Sequence, residues 1–127
     1  MQGALNGKRL LLVEDNADIQ AFVSTVARLE GADLVTATTG EEGMAAIKEQ
    51  TDIDLVLLDL NLPGIQGWDV LQEIKSGAAP DRRVVVFSAY TDGPTRDRAN
   101  EMGATGFIAK PVGARELVEQ LKAYLSL

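Results

Sequence analysis

Five positions in this sequence combine a polar, chemically capable side chain with the end of a short apolar run. Glu14 and Asp15 follow Leu10–Val13, Asp59 follows Asp54–Leu58, Ser88 closes Val84–Ser88, and Lys110 follows Gly106–Ala109. Carboxylates of three such residues brought to one place repel each other, and the arrangement is tolerable only with a divalent cation or a fixed ammonium beside them. Mg²⁺ suits such a place, because it prefers carboxylate, carbonyl and water oxygens in octahedral geometry and leaves room for a substrate phosphate.

The composition narrows the chemistry further. The 127 residues include no histidine and no cysteine. That removes the usual zinc and transition-metal ligands, disulfides, thiol chemistry and the commonest general base near neutral pH. Any metal must be held by oxygen, and chemistry must rest on carboxylates, hydroxyls and lysine. The net charge of −7 opposes direct contact with nucleic acid, whose phosphates call for lysine and arginine, so no DNA or RNA contact is expected. No apolar run approaches the length of a membrane span, and Met1–Lys8 lacks the blocks of a signal peptide, so no membrane contact and a cytoplasmic location are expected.

The elements that must position these residues alternate. Leu10–Val13, Asp54–Leu58 and Val84–Ser88 are continuous apolar runs with polar or turn boundaries, the pattern of parallel strands buried on both faces. Leu34–Ala37 and Gly106–Ala109 read as two shorter strands. Ile19, Phe22, Val23 and Val26 recur at helical spacing, as do Leu117, Val118, Leu121 and Leu125. Thr39 and Glu42 fit a capping box that opens a helix over about 40–49. Pro63-Gly64 and Gly67 mark a turn before a helix through Trp68, Val70, Leu71 and Ile74, and Pro94–Met102 reads as a helix with few apolar positions. Five strand-then-helix units predict a parallel sheet with helices on both faces, and in such sheets sites form beyond the carboxyl ends of the strands. Glu14, Asp15, Asp59, Ser88 and Lys110 all fall at that edge.

Four segments, in this order and at these spacings, carry a resemblance: Leu11-Leu12-Val13-Glu14-Asp15-Asn16, Leu57 to Gly64, Val86-Phe87-Ser88-Ala89, and Gly103 to Pro111. From Lys8 to about Ser126 the chain resembles the receiver domain of bacterial two-component response regulators. The resemblance implies a flavodoxin-like, doubly wound α/β fold with five strands in the order 2-1-3-4-5, an order for which the family is itself a standard example. It implies a short leader over 1–8 and one receiver domain over 9–127. Asp59 would be the phosphoacceptor. Asp15 and Asp59 would bind Mg²⁺ through their side chains, Glu14 through water and Asn61 through its backbone carbonyl. Lys110 would pair with the phosphoryl group and Ser88 would hydrogen-bond it. Elementary chemistry agrees, since a carboxylate can act as a nucleophile and the transfer asks mainly for positioning and positive charge. Ser88 and Phe107 would form the switch. Phe107 stands where many relatives carry tyrosine, so the contacts of that hydroxyl are not inherited. Tyr90 is expected over the site, and the Lys110–Pro111 bond is expected to be cis.

The resemblance further implies a sensor histidine kinase or histidine phosphotransfer protein as phosphoryl donor, and a downstream protein reading the fourth helix, fifth strand and fifth helix. The chain would be no enzyme beyond assisting its own phosphorylation and dephosphorylation, and either a stand-alone receiver or a part of a larger regulator or hybrid kinase. A competing reading is a Mg²⁺-dependent aspartate-nucleophile phosphatase of the haloacid dehalogenase type. That family places Asp-x-Asp after its first strand, where this chain has Glu14-Asp15-Asn16-Ala17. A flavin-binding module on the same topology is opposed by Glu14-Asp15, which would repel the flavin phosphate.

Overall fold

The computed structural model describes residues 3–89 and 92–127. Five strands, β1 (Arg9–Val13), β2 (Asp33–Ala37), β3 (Leu55–Leu58), β4 (Val84–Ser88) and β5 (Gly106–Ala109), form one parallel sheet in the order β2-β1-β3-β4-β5. The helices are α1 (Ala17–Leu29), α2 (Gly40–Glu49), α3 (Gly67–Glu73), α4 (Gly93–Glu101) and α5 (Ala114–Leu125). The expected α/β architecture and strand order are therefore present. No helix among the described residues is long and apolar enough to cross a membrane.

Alternation along the strands explains why every residue of the central runs is apolar. Leu11, Val13, Val56, Leu58, Val84 and Val86 pack with Met44 and Ile47 of α2, Val70 and Leu71 of α3, and Ala99 of α4. Their neighbours Leu10, Leu12, Leu55, Leu57, Val85, Phe87 and Ile108 face the other way, onto Val23 and Val26 of α1 and Leu117 and Leu121 of α5. A sheet covered on both sides has no polar face to show. Leu5, ahead of β1, is buried in this second core, and its N–H donates to Glu30 O at 3.0 Å.

Several boundaries differ from the sequence reading, each for a local reason. Asp54 lies just outside β3, where its carboxylate accepts from the Arg9 N–H at 2.8 Å and draws Arg9 into β1. Thr39 caps α2, accepting from the Glu42 N–H at 3.1 Å, but the Glu42 carboxylate reaches back to the Thr38 N–H rather than to that of Thr39. The helix through Ile74 widens into a π-helical turn over Ile74–Ala78, closed by the Ala79 N–H on Ile74 O, and Lys75 Nζ donates to the carbonyls of Pro80 and Arg82. At the sheet edge, the Tyr124 hydroxyl accepts from the Phe107 N–H and donates to the Phe107 carbonyl, both at 3.2 Å, which satisfies backbone groups that an edge strand would otherwise leave open. The Lys110–Pro111 peptide is cis, as expected.

The turn after β3 depends on two glycines. Gly64 has φ +73°, a conformation that side chains disfavour. Gly67 opens α3 against the backbone of the residue expected to do the chemistry: a Cβ there would stand 2.1 Å from Asp59 O and 2.6 Å from Leu60 Cα. Neither backbone atom can move without displacing the Asp59 segment. Gly67→Ala is expected to lower stability by about 2–3 kcal/mol in urea unfolding. Gly77→Ala, at a position with nothing within 4 Å of the added carbon, is expected to be neutral within about 0.5 kcal/mol. Equal effects of the two would refute the close approach.

Candidate functional site

Backbone pairing carries the strand alternation one residue past β1, β3 and β5. The N–H groups of Glu14, Asp59 and Lys110 donate to the carbonyls of Ala37, Val13 and Ser88 at 2.9, 3.0 and 2.9 Å. Continuing the alternation of Leu12, Leu57 and Ile108, these side chains project toward the α1 and α5 face at the carboxyl edge. Ser88 continues the opposite set with Val86, as does Phe107, which is paired with Val86. Thus the sheet's pleat separates the acidic cluster with its lysine from the hydroxyl and the aromatic ring.

Glu14, Asp59 and Ser88 are the buried polar residues among those described, 1%, 7% and 1% exposed. Asp15 is exposed. Carboxylate oxygens of Glu14, Asp15 and Asp59 lie within 4.8 Å of one another. Lys110 Nζ binds a Glu14 carboxylate oxygen in a short contact and stands 3.6 Å from Asp59 Oδ2. The other Glu14 oxygen accepts from the Asn16 N–H at 3.2 Å, and the Gln20 side-chain amide donates to the Glu14 carbonyl. Asn16 also caps α1, accepting from the Ile19 N–H at 3.0 Å, so one residue starts the helix and steadies the acid. Asp59 Oδ1 accepts from the Asn61 N–H at 3.2 Å. Asn61 thus reaches the site through its N–H, while its side chain is exposed.

The site gathers Glu14, Asp15, Asp59 and Lys110 as expected. Ser88 ends β4 beside them on the other face, and Phe107 is half-buried against the α2, α3 and α4 core with the Arg96 guanidinium 4.6 Å from its ring centre. Tyr90 lies outside the described residues. Sequence reasoning does not find Gln20, which reads as a polar position on α1, or Phe87, which reads as a core strand residue. The N-cap pattern before α1 is the signal that identifies Asn16.

Burial is the main reason that the Glu14 carboxyl is held above its usual range; the Asp59 charge acts in the same direction, against the Lys110 ammonium and the Asn16 N–H. Three hard oxygen donors, one open to solvent and one disfavoured in its charged form, fit a divalent cation such as Mg²⁺.

The family model for the response regulator receiver domain matches residues 10–122. The chain belongs to that family. Among curated relatives, the DNA-binding response regulator MtrA of Mycobacterium tuberculosis is 35% identical over 118 residues, covering 93% of this chain and 50% of MtrA. The chain spans about half the length of the curated relatives it matches. A CheY-like response regulator receiver domain protein from Methanospirillum hungatei superposes with a TM-score of 0.86 at 28% identity, covering 94% of each chain. A chain of the CheX-CheY-BeF3-Mg²⁺ complex from Borrelia burgdorferi superposes with a TM-score of 0.88 at 25% identity, covering 93% of this chain and 89% of that one. The family is one of signalling domains rather than of catalytic enzymes. The expectation of no nucleic-acid contact finds no support here: relatives are named as DNA-binding, and the charge argument reaches only these 127 residues.

Since the folded pKa of Glu14 lies above the unfolded one, the folded protein binds the extra proton between the two, and that stability is lost as pH rises through the window. Glu14→Gln removes this loss. In chelator at about pH 7 the variant is expected to melt above wild type, and the gap is expected to close below the usual carboxylate range. A lower melting temperature at both pH values would mean that the Lys110 pair outweighs burial.

Proposed function

We propose that this domain receives a phosphoryl group on Asp59 from a phosphohistidine of a sensor kinase or phosphotransfer protein in the cytoplasm. The observation that carries the reading is the Asp59 carboxylate, with Lys110 Nζ at 3.6 Å and carboxylate oxygens of Glu14 and Asp15 within 4.8 Å. An Asp59 oxygen attacks phosphorus, the P–N bond breaks with its electron pair going to the imidazole nitrogen, and the carboxylate becomes a mixed anhydride. The histidine must come from the partner, because this chain has none. Lys110 leaves Glu14 for a phosphoryl oxygen, and the Ser88 hydroxyl donates to another. Asp15, Asp59, the Asn61 carbonyl and, through water, Glu14 would hold Mg²⁺, which would supply positive charge against the phosphoryl oxygens. The likeness to a receiver complex named for BeF3 and Mg²⁺ supports that assignment. MtrA, half of which this chain covers, is named as DNA-binding, and by analogy any DNA contact would be a property of a whole regulator.

Incubation with acetyl phosphate and Mg²⁺ is expected to add the mass of one phosphoryl group, and Asp59→Asn or chelation is expected to abolish the gain. Undiminished labelling of Asp59→Asn would overturn the acceptor, and labelling indifferent to chelator would overturn the metal.

Output would run through the other face. As Ser88 turns to the phosphoryl group, space opens beside Phe107, whose ring moves inward and draws Arg96 and α4 with it, reshaping the α4-β5-α5 surface read by a downstream protein. The ligand shifts this equilibrium only by its differential affinity for the two states. Amide NMR with beryllofluoride is expected to show shifts over 92–110; shifts confined to the loops around Asp59 would mean that the switch is absent.

A further inference from the structure

The Lys110 ammonium has a third neighbour besides Glu14 and Asp59. Its Nζ stands 4.9 Å from the centre of the Phe87 ring. Phe87 is 2% exposed and is paired with Ile108, two residues before Lys110, so the ring and the lysine stem lie on the same side of the sheet. The groove along this side of Lys110 is lined by Ile19, Phe22, Pro111 and Val112 as well as Phe87, with Asp18 as its one acidic residue. An ammonium against such an apolar wall loses hydration, and among these wall residues Phe87 holds its ring within cation–π range of Nζ.

We infer that Phe87 is a positioning residue for the transfer, its ring face holding the Lys110 ammonium between Glu14 and the acceptor. The inference rests on Asp59 being that acceptor. Lys110 must bind Glu14 before transfer and a phosphoryl oxygen after it, so a directional third partner would lock it in one place. A ring face attracts the cation without presenting a lone pair, and the attraction persists as Nζ slides across the face. A leucine of similar burial would offer the ammonium no ring face.

The test separates the ring's electrostatics from its shape. 4-Fluoro-, 3,5-difluoro- and 3,4,5-trifluoro-phenylalanine are placed at position 87 alone, and Asp59 labelling by acetyl phosphate with Mg²⁺ is followed by intact mass, alongside thermal melting. Fluorine withdraws charge from the ring face while keeping its outline. The labelling rate is expected to fall step by step, on the order of tenfold across the series, at an unchanged melting temperature. Phe87→Leu is expected to be as slow as the most fluorinated ring. Fluorinated proteins that all label at the wild-type rate would overturn the inference and leave the Asp59 reading intact. Wild-type protein that takes no label would overturn both.

Discussion

Negative charge is gathered at the carboxyl edge of the sheet faster than it is neutralised there: three carboxylates approach within 4.8 Å and one lysine stands among them. Two like charges at that separation repel by about 3 kcal/mol at an effective dielectric near 20. The surrounding structure is arranged to hold the cluster in spite of this. Glu14, the most buried of the three, has the Asn16 N–H on one oxygen and Lys110 on the other, and its backbone carbonyl is bound by Gln20. Asp59 has the Asn61 N–H on one oxygen and the lysine at a longer distance from the other. The acid that is most buried is thereby the most tightly held, and the acid proposed to react is held by fewer and longer contacts.

The pleat divides the labour of the site. Glu14, Asp59 and Lys110 extend the strand positions that face α1 and α5, whereas Ser88 and Phe107 extend those that face α2, α3 and α4. A one-residue slip in any of the paired strands would exchange these sets, so the register that builds the core also builds the site. The carboxylate proposed to accept a phosphoryl group and the ring proposed to report it are therefore on opposite faces of one sheet.

What could be read from the sequence follows from the same geometry. Strands buried on both faces show as unbroken apolar runs, so Leu10–Val13 and Val84–Ser88 were plain, and residues just past such runs fall at the carboxyl edge without knowledge of any contact. Contacts between separate elements left no such mark. Gln20 binds Glu14 across the start of α1, Phe87 lies under Lys110 from the neighbouring strand, and Gly67 packs on the Asp59 carbonyl; each residue type has an ordinary local explanation that hides its role. The capping box at Thr39 was readable, but which backbone N–H the Glu42 carboxylate would reach depends on how the chain enters the helix. Nothing in the sequence of α4 marks Arg96 or Arg98, because the rings that they meet belong to other elements.

Those two arginines bear on how α4 is held. The helix buries Ala99 alone among its residues, too little apolar area to fix it on the sheet by packing. Arg96 instead lies over the Phe107 ring of β5 at 4.6 Å, and Arg98 over the Trp68 ring of α3 at 4.1 Å. Cation–π contacts of this partly exposed kind contribute about 0.5–1 kcal/mol each. A helix tethered by increments of that size sits near the low end of local stability and can change its seat when one ring moves. Phe107 is one of the two rings, and it shares its face of the sheet with Ser88. Weak packing of α4 is thus compatible with a stable domain, because α4 adds only Ala99 to the core while the sheet and the other helices supply the rest, and it suits the proposed output face.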